Sequence, residues 1–112
     1  MQYVLLIYDN ADAGERDGLM QEYFAYTDEL EASGKLVSSA PLQPSRTAQS
    51  VRVRDGEISL SDGPFAETKE QLGGYYLIEG KDLNDAIQVA ARIPGAKTGS
   101  VEVRPIMVFA GQ

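Results

Sequence analysis

The 112 residues fit one domain with a single core, and 43% apolar with 24% charged residues is an ordinary globular composition that argues against widespread disorder. A net charge of −7, from ten basic against seventeen acidic side chains, argues against direct nucleic-acid binding and against an anionic membrane surface. The chain has no cysteine and no histidine, which excludes disulfides, thiolate nucleophiles and thiolate metal sites and leaves zinc without its usual ligands. No metal or cofactor is expected. An all-oxygen magnesium or calcium site is still open to such a composition, although no EF-hand-like spacing is present.

The opening MQYVLLIYDN lacks a basic stretch, and its apolar run is too short for a signal peptide. No segment reaches the length of a transmembrane helix, so a cytoplasmic location is expected. QYVLLIY, residues 2–8, reads as a strand. Tyr3, Leu5 and Ile7 fall on one face and Val4, Leu6 and Tyr8 on the other, so both faces need cover. Asp12 with Glu15 is a helix-capping pattern, but Gly18 weakens a helix there. The first helix therefore begins either at that cap or only after Asp17. From Leu19 the period is clear: Leu19, Tyr23, Tyr26 and Leu30 form one stripe, and Gly34 closes the helix.

Leu36–Ser39 reads as a second strand, after which Pro41 and Pro44 impose an irregular stretch. QSVRVRDGEISLS, residues 49–61, has the alternation of a β-hairpin, with Asp55-Gly56 as its tight turn. GGYYLIE, residues 73–79, is another strand apolar on both faces. Asp82 caps a second helix, with Asp85 near its positive end. Leu83, Ala86, Ile87, Ala90 and Ile93 form its expected buried stripe, and Pro94-Gly95 stops it. SVEVRPIMVF, residues 100–109, is the last strand, with Pro105 marking an edge or a bulge.

This order predicts an α+β domain over residues 1–112: a ferredoxin-like fold with an inserted β-hairpin. Two helices can cover only one face of such a sheet. The second apolar face calls for the same face of another copy, a homodimer packed sheet to sheet. The alternative is that the hairpin folds over that face within one chain.

Between hairpin and fifth strand lies SDGPFAETKE, residues 61–70. Pro64 favours an extended Gly63, Asp62 can form an Asx-turn, and Phe65 is the expected apolar anchor. These residues describe a stiff corner. Glu67, Thr68, Lys69 and Glu70 are more polar than a corner needs. They read either as a solvated face or as the mouth of a pocket.

The run DGPFAETKEQLGGYYLIE resembles the signature of the DGPF-domain family, within the YCII-related superfamily. The similarity extends through YVLLIY, VRVRDG and AARIPGAKTGSVEVRP, nearly the whole chain. The resemblance implies a dimeric α/β-barrel of ferredoxin-like subunits, with no settled activity. The wider superfamily includes enzymes with a histidine–aspartate pair, which cannot operate here. The superfamily histidine aligns near Tyr23. Some family members stand beside extracytoplasmic-function sigma factors, which implies a regulatory sigma-factor partnership as an alternative function.

The candidate binding residues are Asp62, Tyr23, Tyr8, Lys69 and Arg104, with Asp62 the leading candidate for catalysis. Each has a plainer structural reading: a turn former, two core aromatics, an exposed ion pair, and a partner for Glu102. A tyrosine, with a reference pKa of about 10, is a poor base at neutral pH but can donate to an oxyanion. A carboxylate beside tyrosine and arginine donors could move a proton next to a carbonyl. The sequence thus points to a small-molecule-binding protein, with a pocket between sheet and helices and a carboxylate available for proton transfer.

Overall fold

The computed structural model describes residues 1–10 and 18–109. Alternating apolar residues build β1 (Gln2–Asn10), and α1 follows over Leu19–Ala32. The chain then forms β2 (Leu36–Pro41), β3 (Gln49–Arg54), β4 (Glu57–Asp62) and β5 (Glu70–Glu79). Helix α2 (Leu83–Ala91) and β6 (Ser100–Pro105) complete it, with short 3-10 turns at Ser45–Thr47 and Pro94–Lys97. Four strands make an antiparallel sheet in the order β2-β5-β1-β6, the ferredoxin-like arrangement expected. Strands β3 and β4 form a separate two-stranded sheet among the described residues.

The core lies between the sheet and the two helices. Tyr3, Leu5 and Ile7 of β1 and Tyr76 and Ile78 of β5 face Tyr26 and Leu30 of α1 and Ala86, Val89 and Ala90 of α2, with Ile93 just beyond α2. The Tyr26 hydroxyl donates to the Val89 carbonyl at 2.8 Å and ties the helices together. The ring of Tyr26 stands edge-on to Tyr76, and Arg92 lies over it. Asp82 caps α2 by accepting from the Asp85 amide at 2.9 Å. The Lys35 ammonium donates to Asp85 at 2.7 Å and links the start of β2 to that helix.

Several expectations need correction. The second helix buries Val89, while Leu83 and Ile87 stay exposed. The last strand ends at Pro105, on the sheet edge, so residues 106–109 are not strand. Gly63 has φ +90°, a left-handed conformation that glycine tolerates, so Pro64 does not hold it extended. Phe65 is no anchor, at 82% exposed. The expected Asp12–Glu15 cap lies outside the described residues.

The hairpin does not fold over the open sheet face. Asp55 at φ 51° and Gly56 at φ 78° make the left-handed turn that a two-residue hairpin needs. Nearly every hairpin residue is exposed. The radius of gyration is 16.0 Å, where a compact chain of this length has about 13 Å. The hairpin is an arm.

Candidate functional site

A cavity of about 370 Å³ lies between α1 and the sheet. That volume is at the small end for a ligand site. Ile7 and Tyr76 form its floor, Tyr23 and Thr27 come from α1, and Met20 and Phe24 stand exposed on the same helix. Asp9 supplies its carboxylate. The alternation that turns Tyr3, Leu5 and Ile7 toward the helices brings Asp9 to that side as well, at the end of β1. One Asp9 oxygen accepts from the Asn10 amide at 2.9 Å.

Two hydroxyls in the wall are already organised. Thr27 Oγ1 and Tyr76 Oη are 2.7 Å apart. Burial pushes the Tyr76 phenol above its ordinary range, with the Thr27 hydrogen bond pulling the other way, so the phenol stays protonated at neutral pH. Tyr23 turns its hydroxyl against Gly95, where an added Cβ would lie 2.4 Å away. Its ring is left to form part of the wall.

The other sequence candidates lie elsewhere. Tyr8 points to the opposite face of the sheet and lines two open clefts, of about 930 and 980 Å³. Lys69 lines the second of these beside Tyr8, Glu70 and Glu102. Arg104 is on β6 opposite Val4 and lies 3.8 Å from Glu102, the pairing its spacing allowed. Asp62 ends β4, accepts from the Gln49 side-chain amide at 2.7 Å, and lines none of these three hollows. Tyr8 and Lys69 are therefore brought together, while Tyr23 and Asp62 are each apart from them. Asp9 escaped the sequence reading, although its signal was present. It is the one carboxylate that continues the buried alternation of β1.

The sequence profile of the YCII-related domain matches residues 1–110. The chain belongs to the YCII-related family. An uncharacterised protein of Rhizobium meliloti (strain 1021) is 37% identical over 117 aligned positions, covering 97% of this chain and 94% of its own length. Among solved structures, the 5-chloro-2-hydroxyhydroquinone dehydrochlorinase of Burkholderia phenoliruptrix, in complex with 2,5-dihydroxybenzoquinone, shares the fold. The TM-score is 0.50 at 15% identity, across 96% of this chain and 94% of that one. The α+β ferredoxin-like architecture is thus common to a YCII-related chain and a known enzyme. Among the described residues, no helix is long and apolar enough to cross a membrane.

Proposed function

We propose that this protein binds a small ring compound bearing hydroxyl or carbonyl groups in the cavity between α1 and the sheet, with Asp9 as its carboxylate. The observation that carries this reading is the lining itself: aromatic walls, one carboxylate and a preset hydroxyl pair around about 370 Å³. A ring fits between the aromatic side chains, and the Thr27–Tyr76 pair can donate to an oxygen on it. Asp9 can accept a proton from a phenol or from a carbon beside a carbonyl, the proton transfer expected of a carboxylate site in this chain. The fold neighbour's complex with 2,5-dihydroxybenzoquinone supports a ligand of this size and chemistry.

The reading includes a place in the DGPF branch of the family and a cytoplasmic homodimer packed through the open sheet face. Val4, Leu6, Tyr8, Tyr75 and Leu77 make that face apolar, and among the described residues both helices pack on the other side. In this reading Asp62 shapes the base of the hairpin. The sigma-factor alternative draws on no feature of the structure.

The test is calorimetric titration with 2,5-dihydroxybenzoquinone and a panel of hydroxylated aromatics, on the wild type, Asp9→Asn and Asp62→Asn. A lost charge-assisted hydrogen bond weakens binding by about 10- to 100-fold. That loss is expected for Asp9→Asn, with Asp62→Asn unchanged. The reverse pattern would move the site to the hairpin, and no binding by any compound would remove the reading.

A further inference from the structure

The β3–β4 arm has two unlike faces. Val51, Val53, Ile58 and Leu60 share one face, since Val51 pairs with Leu60 and Val53 with Ile58. They are 61%, 58%, 71% and 64% exposed. Arg52, Arg54, Glu57 and Ser59 occupy the other face. A two-stranded ribbon with a bare apolar side is marginal in water without something packed on it. Among the described residues, nothing buries that face.

The location of this face matters. The cleft of about 930 Å³ at the foot of the arm is lined by Tyr8 and Leu72 from the open side of the sheet, by Val51 and Arg52 at the base of the arm, and by Phe65 from its corner. The apolar face of the arm thus begins, at Val51, in the same cleft that the open sheet face lines with Tyr8 and Leu72. A body resting on the sheet would also touch the arm.

The exposed area points to the occupant. The chain exposes 8054 Å² at 12.2 kDa. A folded monomer of that mass exposes about 6,100 Å². The excess, roughly 2,000 Å², falls within the area one subunit of an obligate homodimer buries, roughly 1,000–2,500 Å². The open sheet face cannot account for it alone, because Val4, Leu6, Tyr8, Tyr75 and Leu77 are already partly covered by their neighbours.

We infer that the β3–β4 hairpin is a clasp: its Val51, Val53, Ile58 and Leu60 face closes over a second copy of this chain docked on the open sheet face. The inference rests on the homodimer reading above and adds which element holds the partner. Two-fold symmetry then gives two clasps per dimer, each closing a cleft that a single subunit leaves open.

The test compares dimer dissociation by sedimentation velocity for the wild type and the Val53→Thr/Ile58→Thr double variant. Threonine keeps the β-branched shape that suits a strand and removes apolar contact. Val53 and Ile58 are both more than half exposed, so the variant keeps the wild-type circular dichroism. At least tenfold weaker dimerisation is the expected result. An unchanged dissociation constant in a dimeric protein overturns the clasp and leaves the dimer standing. A wild type that is monomeric at every concentration overturns both. A second readout uses Ile58→Cys carrying a polarity-sensitive fluorophore, the sole thiol in a chain that has none. Its emission should shift to the red as the dimer is diluted apart, and a constant emission through dissociation also overturns the clasp.

Discussion

At Gly95 an absent side chain makes room for a tyrosine. A Cβ there would lie 2.4 Å from the Tyr23 hydroxyl and 3.2 Å from Ile7 Cγ2. The Tyr23 ring could yield, but only by moving within a wall of the cavity. Gly95→Ala is expected to destabilise by about 1–3 kcal/mol in urea unfolding. In a Tyr23→Phe background the loss should be smaller, because the nearest ring carbon stands 3.7 Å from the same point. Equal losses in both backgrounds would locate the strain at Ile7 instead. Tyr26 carries a pH dependence of its own. Burial pushes its phenol up to about 12, and the Arg92 guanidinium over the ring pulls the other way. The folded value lies above the unfolded one, so this contribution is intact below about pH 10 and is lost as pH rises through about 12. Melting curves across that range should fall less steeply for Tyr26→Phe than for the wild type. The stripe Leu19-Tyr23-Tyr26-Leu30 was legible from spacing. The partners were not, because Gly95 and Val89 are more than sixty residues away in the chain.

Helix α2 shows how a local signal can be right about an element and wrong about its rotation. The Asp82 cap was readable, since a short acceptor before a periodic run meets an unpaired amide wherever that helix lies. Asp82→Ala should lower stability by about 0.5–2 kcal/mol in urea unfolding, and no change would mean that water replaces the cap. The buried stripe was only partly readable. Ala86, Ala90 and Ile93 are buried as their spacing predicts, yet Val89 is buried while Leu83 and Ile87 are exposed. A nine-residue helix with apolar residues around much of its surface can turn several ways toward a sheet. The Tyr26 bond to the Val89 carbonyl and the packing of α2 on β6 select one. The hairpin was legible from Asp55-Gly56 and the flanking alternation. Its direction away from the body was not, because a turn sets the pairing of two strands and not where the ribbon points.

A chain with a partly bare sheet and a projecting arm spans 46 × 46 × 19 Å and is not compact alone. Its stability should then depend on protomer concentration, as it does wherever folding and association are linked. Scanning calorimetry from about 1 to 100 μM should show a melting temperature that rises with concentration. A constant melting temperature over that range would mean that single subunits fold independently. The charge of −7 opposes self-association at long range, so the dimer proposed above would have to be held by apolar contact.

The sequence by itself determined the strand and helix order, the hairpin turn, the Asp82 cap and the lack of histidine and cysteine chemistry. Each of these depends on residue type or on spacing within a few positions. The tertiary structure alone decided which carboxylate reaches the cavity. Asp62 and Asp9 are both acidic residues at strand ends, and nothing local separates them. Asp62 ends a ribbon that leaves the body and pairs with Gln49, whereas Asp9 lies in the last two residues of β1, a central strand, at the cavity beside α1. That difference arises from the packing of segments far apart in the chain, where burial and not local propensity sets the position of each side chain.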